Sequence, residues 1–207
     1  MPSYKLSYVD GRGYAEVSRQ LFHLSGTPFE DNRIAFEDWP KIKETTPFGQ
    51  LPVLCVNGKE LPQSFAIARY LANQFGFSGK TPFESAWVDA LGDQHKDYLN
   101  EIKPFLMVAY GFAEGDKEKM MKEVAAPAIQ KYFTILEKQA KDNGLNGHFV
   151  GVSITWIDLV VSDHMGIIET LVPNAFDGFP LVEAVRQKIT SDPKLKEWIE
   201  KRPETPF

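Results

Sequence analysis

What most constrains this chain of 207 residues is a change of pattern near residue 76. Before it, strand and helix signals alternate. Beyond it, nothing reads as a strand. Tyr4–Val9 has strand composition, and Ala15–Leu24 carries Val17, Leu21, Phe22 and Leu24 at helical spacing. A short second strand is expected over Phe29–Ile34, after Pro28. Residues 35–49 read as irregular, because Pro40 and Pro47 interrupt any long element. The sharpest local signal is the strand-like Pro52–Val56, then Asn57-Gly58, then Lys59–Leu61. Both central positions of a type I′ hairpin turn need positive φ, and Asn-Gly meets that demand. A helix is predicted from Ser64 through Ile67, Ala68, Tyr70 and Leu71. The order is therefore β-α-β, a loop, a hairpin and a helix.

After a linker, Trp87, Leu91, Tyr98, Ile102 and Phe105 fall on one face of a long helix, which Pro104 is expected to bend. Val124–Ala140 is a second helical run, and two more are expected around Leu181–Ile189 and Pro193–Lys201. Thr155-Trp-Ile-Asp158 is a variant capping box, with Ile154 and Leu159 placed as its hydrophobic staple. The pattern predicts an α/β domain over 1–76, a linker over 77–81 and an all-helical domain over 82–207.

Composition excludes several classes of function. A net charge of −5 lacks the basic footprint of a sequence-independent nucleic-acid binder. No apolar run approaches the roughly 18 residues of a membrane span, and the first thirteen residues lack a signal-peptide core. Cys55 stands alone, so neither an internal disulfide nor Cys-x-x-Cys exchange is available. Its place in a strand before a turn suits a small buried hydrophobe. Together these features predict a soluble, cytoplasmic protein. His23, His95, His148 and His164 are scattered without helical metal-ligand spacing, so they read as surface or packing residues and no metal site is expected. Gly11-Arg-Gly13 begins like a dinucleotide fingerprint, but Glu16 occupies the third glycine position.

Three element ends remain as candidates. Tyr8 closes the first strand, directly before the Asp10–Gly13 turn, where amphipathic packing and a catalytic hydroxyl are both open readings. Gln50-Leu51-Pro52 opens the third strand. A proline there removes a ladder donor, and an X-Pro bond is where a cis peptide is cheapest. Gln63-Ser64 begins a helix, where the serine can be an N-cap or part of an anion site able to hold a carboxylate. A strand edge beside such a helix start suits a short acidic peptide. Asp93, Asp97 and Glu101 stack acids at four-residue spacing. Either a cationic ligand group offsets their repulsion, or they form a solvated face eased by Lys96 and Lys103.

Tyr8 followed by Arg12-Gly13, Trp39 with Lys43, Phe48-Gly-Gln-Leu-Pro52, and Gln63-Ser64 with Ile67–Leu71 together resemble the cytosolic glutathione transferases. The likeness is to the sigma-like class, including its nematode members, and extends through Ser153–Asp158 to Trp198–Pro203. It implies a thioredoxin-like N-terminal domain, an all-helical C-terminal domain and a homodimer in which Phe48 plugs the partner. It implies glutathione as co-substrate along the third strand, with no tightly bound cofactor. By this resemblance the Leu51 backbone, before a cis Pro52, pairs with the cysteinyl unit. Gln63 and Ser64 hold the γ-glutamyl carboxylate, and Trp39, Lys43 and Gln50 contact the glycyl end. Asp97 reaches the γ-glutamyl amine in the neighbouring subunit, and Tyr8 stabilises the thiolate. The thiolate then attacks small hydrophobic electrophiles in a pocket that Tyr14, Phe105 and His164 are expected to line, with peroxide reduction as a further outcome. Many vertebrate sigma-type enzymes have arginine in place of Tyr14, which weakens transfer of a prostaglandin D synthase activity and leaves the role of Arg12 open. Rival readings are a carrier of haem or other hydrophobic anions and a silent structural relative. Joint retention of Tyr8, Gln63, Ser64 and Asp97 counts against the silent one.

Overall fold

The computed structural model describes residues 2–205, which divide into two compact units: residues 2–78 with 191–205, and residues 79–190. The first unit is built on a four-stranded mixed sheet of order β2-β1-β3-β4. Strand β1 (Tyr4–Val9) runs parallel to β2 (Glu30–Ile34) and antiparallel to β3 (Val53–Val56), which pairs antiparallel with β4 (Lys59–Pro62). The parallel β1–β2 pair needs a crossover, and α1 (Glu16–Ser25) supplies it. The β3–β4 hairpin turns on Asn57 and Gly58 at φ 51° and 81°, the left-handed pair that the dipeptide predicts.

The alternation along β1 is clean: Tyr4, Leu6 and Tyr8 are buried while Lys5, Ser7 and Val9 are partly exposed. Helices α1 and α3 (Ser64–Phe75) add Leu21, Phe22, Ile67, Ala68 and Leu71 to the same core. Residues 35–49 are more ordered than their prolines suggest. They contain α2 (Trp39–Ile42) and a single 3₁₀ turn over Lys43–Thr45. Pro40 sits in the first turn of α2, where its missing N–H costs nothing.

In the second unit, α4 (Pro82–Ala109) starts at a capping box made by Thr81 and Glu84 and continues through Pro104 as one element. Lys117–Met120 is a short α5. A π-helical turn over Met121–Ala125 follows, leading into α6 (Ala126–Asp142). The next two helices are α7 (Trp156–Leu171) and α8 (Pro180–Thr190). The largest side chains of its core are aromatic: Trp156, Tyr98, Tyr132, Phe105, Phe133 and Phe149 are almost fully buried. Gly92 lets α4 approach α7, since a Cβ there would overlap the Trp156 ring. The predicted capping box also forms. Buried Asp158 accepts from Thr155 N at 2.7 Å, Thr155 Oγ1 at 2.8 Å and Phe149 N at 2.9 Å.

The chain closes on helix α9 (Pro193–Lys201). It clusters with the first unit, where Trp198 stacks on His23 of α1 at 4.0 Å and Lys194 Nζ donates to Leu24 O. Cys55 is half-buried rather than enclosed. Among the described residues no helix is long and apolar enough to cross a membrane.

Candidate functional site

The strand registers bring the expected residues to one end of the sheet. Ser7 pairs with Val53, so Tyr8 lies one step further, level with Pro52. Val53 in turn pairs with Pro62, which carries Gln63 to the same end. The Leu51–Pro52 peptide is cis. Gln63, not Ser64, is the residue before the helix, with φ 77° and ψ 112°; Ser64 is the first residue of α3. Across the gap, Gln63 Nε2 donates to Gln50 Oε1 at 3.2 Å, tying the entry to β3 to the start of α3.

Tyr8 is 7% exposed, and its Oη accepts a hydrogen bond from Tyr14 N at 3.3 Å. Burial raises the phenol above its ordinary value, while the Tyr14 N–H and the Arg19 guanidinium pull it back. The hydroxyl therefore keeps its proton at neutral pH, and with its oxygen already engaged as an acceptor it is a stronger donor. Gly13, at φ 36°, lets the turn cross the ring: a Cβ there would stand 2.6 Å from Tyr8 Oη.

The loop side of the site is more open. Trp39 on α2 is half-buried, and Lys43 in the following 3₁₀ turn is exposed. The Lys43 stem comes within 3.6 Å of where a Cβ on Gly49 would stand, next to Gln50. Phe48 is 63% exposed. In the second unit Asp97 lies exposed on α4, and its neighbour Glu101 pairs with Lys131 of α6 at 2.5 Å.

The expected electrophile pocket fares unevenly. Tyr14 is exposed, but Phe105 is fully enclosed and His164 nearly so. His164 Nε2 lies 2.9 Å from Tyr98 Oη, and His95 Nδ1 lies 2.9 Å from Tyr132 Oη, in a buried cluster where the two imidazoles are 5.1 Å apart. Phe105 lies in the core of the helical unit, on the face its periodicity marks as apolar, and His164 is buried in the same unit.

A buried ionic network beneath Tyr8 went unseen in the sequence. Arg19 is fully buried: its Nη1 donates to Gly11 O at 2.7 Å, and its Nε pairs with Asp31 at 3.0 Å. Asp31 also pairs with Arg33, which reaches Asp10. Glu16, equally buried, approaches Arg19 at 3.5 Å and accepts from Trp198 Nε1 and Arg202 Nη1, each at 2.8 Å. The available signal was the Glu16–Arg19 spacing of three on one helix, together with acids and bases flanking the turn.

A thioredoxin-like sheet unit followed by an all-helical unit, with a tyrosine, a cis-proline and a helix start at one sheet end, defines the architecture of a glutathione-dependent transferase. Residues 4–73 match the glutathione S-transferase N-terminal domain, and residues 100–202 match its C-terminal domain. Glutathione S-transferase 1 of Ascaris suum is 48% identical, with all of both chains covered. A glutathione S-transferase of Necator americanus, described as monomeric, superposes with a TM-score of 0.96 at 52% identity, covering 99% of this chain and 100% of that one. A Nu-class enzyme from Haemonchus contortus gives a TM-score of 0.91 at 51% identity, with both chains fully covered. The chain belongs to the glutathione S-transferase family. It is a transferase with glutathione as co-substrate and no tightly bound cofactor.

Proposed function

We propose that this enzyme conjugates glutathione to small hydrophobic electrophiles, with Tyr8 as the catalytic residue. The observation that carries this reading is the buried Tyr8 hydroxyl, engaged by the Tyr14 N–H at the sheet end that also holds Pro52 and Gln63. A free thiol of pKa near 8.5 is about one per cent thiolate at pH 6.5, and the thiolate is the nucleophile. A phenol donating to sulfur favours the anion; lowering the thiol pKa by about two units corresponds to roughly 2.7 kcal/mol, within reach of one charge-assisted bond. The sulfur then forms its bond to the electrophilic carbon, and a leaving group such as chloride departs with the electron pair.

In this reading the Leu51 backbone pairs with the cysteinyl unit. Gln63 and Ser64 take the γ-glutamyl carboxylate, while Trp39, Lys43 and Gln50 take the glycyl end. The start of α3 suits a carboxylate because its first N–H groups have no partners within the helix. Asp97 serves the γ-glutamyl amine of a partner subunit, with Phe48 as the dimer plug. The Necator relative described as monomeric makes sedimentation the direct measure of that dimer. We place the chain with the sigma-like enzymes on its motifs, beside relatives that include a Nu-class protein, and locate it in the cytoplasm. Tyr14 in place of arginine favours conjugation over prostaglandin isomerisation.

The test is turnover of glutathione with 1-chloro-2,4-dinitrobenzene, for the wild type and for Tyr8→Phe. Turnover that falls about fiftyfold at pH 6.5 in the variant, as the bound thiol returns to its free pKa, supports the reading. Equal pH–rate profiles would remove Tyr8 from the role. Retention on immobilised glutathione without turnover would favour the carrier of haem or other hydrophobic anions.

A further inference from the structure

The turn that presents Gly13 and Tyr14 to Tyr8 does not hold its shape alone. Its carbonyls point inward, onto one guanidinium. Arg19 Nη1 donates to Gly11 O at 2.7 Å and reaches Arg12 O at 3.5 Å, while its Nε is engaged by Asp31 on β2. A planar fork can hold two acceptors in a fixed relation, which a lysine cannot. Asp31 also binds Arg33, whose Nη1 reaches Asp10 at the start of the turn, so both ends of Asp10–Arg12 are anchored in one network.

The far side of that network is the closing segment of the chain. Glu16 balances Arg19 in a site with no exposure for either side chain, and Glu16 Oε1 is held by Trp198 Nε1 and Arg202 Nη1. These two donors draw the carboxylate away from Arg19, leaving the guanidinium to the turn. Without them, a buried carboxylate would compete with the Gly11 and Arg12 carbonyls for the same hydrogens, because a buried charge cannot go unpaired cheaply.

We propose that Arg19 is a positioning residue for thiolate formation: through the Gly11 and Arg12 carbonyls it keeps the Tyr14 N–H on Tyr8 Oη, and Trp198 and Arg202 hold Arg19 to that task through Glu16. The proposal rests on the reading of Tyr8 given above. Arg19 also adds a positive charge that favours an anion near the phenol, in line with its lowering effect on Tyr8. The end of the chain thereby sets chemistry on a strand at its beginning.

The experiment measures the pKa of enzyme-bound glutathione, by the pH dependence of kcat/KM and by the ultraviolet absorbance of the thiolate. It compares the wild type, Tyr8→Phe, Arg19→Lys, and the pair Trp198→Phe with Arg202→Gln. Circular dichroism and melting first establish that each variant is folded. Arg19→Lys retains the charge but not the fork, and should raise the bound thiol pKa by about one unit, a tenfold loss of kcat/KM at low pH, with KM for glutathione within about twofold. The Trp198→Phe/Arg202→Gln protein leaves Tyr8 and every residue of the turn unchanged. It should move the same pKa the same way, and it carries the test if Arg19→Lys does not fold. A purely structural role would lower the melting temperature and leave the pH profile of the folded protein in place, which overturns the proposal. Should Tyr8→Phe shift the pKa while the distal variants do not, only the Arg19 inference fails. An unshifted Tyr8→Phe overturns the Tyr8 reading and this inference with it.

Discussion

Gly13 and Tyr8 are in a contact that only a residue without a side chain permits: a Cβ on Gly13 would stand 2.6 Å from the Tyr8 hydroxyl, at a backbone φ of 36°. Gly13→Ala must therefore shift either the turn or the ring. The expected outcome is a stability loss of about 1–2 kcal/mol from the positive φ and the clash. It should come with a fall in kcat well beyond any change in KM for glutathione. Unaltered kcat in a folded variant would mean that the turn can move without disturbing Tyr8.

Gln63 bridges to Gln50 at the start of α3, where the γ-glutamyl carboxylate is proposed to bind. Gln63→Glu keeps the shape and sets a negative charge against the ligand's own. KM for glutathione should rise tenfold or more, the equivalent of about 1.4 kcal/mol, with kcat at saturation nearly unchanged. An unchanged KM would place the carboxylate elsewhere.

At Gly92 two rules oppose each other. Intrinsic propensity favours alanine over glycine in a helix interior by about 1 kcal/mol. Packing forbids it, since the added carbon would overlap the Trp156 ring. Overpacking of a dense core costs more than propensity returns, so Gly92→Ala should destabilise by about 1–3 kcal/mol in urea unfolding. A stabilised variant would show that α4 and α7 separate easily.

Asp158 answers three donors from a site with no exposure. Asp158→Ala leaves the Thr155 and Phe149 N–H groups without an acceptor, and should cost about 3 kcal/mol in denaturant unfolding. Asp158→Asn keeps one acceptor oxygen and should recover part of that loss. Equal costs for the two would assign the effect to the cavity rather than to the bonds.

The buried histidines predict acid sensitivity. Burial lowers His164 to about 3 and lowers His95 well below its ordinary value, with the charge of His164 adding to the effect on His95. Both imidazoles titrate near 6.5 once the chain unfolds. Below that pH the unfolded state binds protons that the native state refuses, so their contribution is complete above about 6.5 and declines as the pH falls towards 3. The slope is about 1.4 kcal/mol per pH unit for each histidine. Unfolding free energies of the wild type and His164→Gln between pH 7 and pH 4.5 isolate one of the two. Parallel curves would show that His164 takes up its proton without unfolding.

Much of this was legible because it is local. Asn57-Gly58 demands positive φ whatever surrounds it, and the hairpin formed there; Thr155 and Asp158 lie three residues apart and capped α7 as their spacing predicts. Pro40 misled for the converse reason, since a proline breaks a helix interior but not a first turn. Helical spacing marks Phe105 as inward-facing, while nothing in the spacing of the histidines marks His164. Periodicity reports that a side chain is turned inward and leaves open whether it meets core or ligand; Phe105 meets core.

By itself the sequence determined the alternation of strand and helix, the switch to helices beyond the linker, and the family to which the chain belongs. These depend on residue type and short spacing, which any reader of the chain can see. Only the tertiary structure decided that Arg202 and Trp198 close on Glu16, and that Arg19 serves the turn over Tyr8. The Glu16 contacts span 182 and 186 residues of sequence, and a buried charge declares its partner only once the fold has removed water from around it.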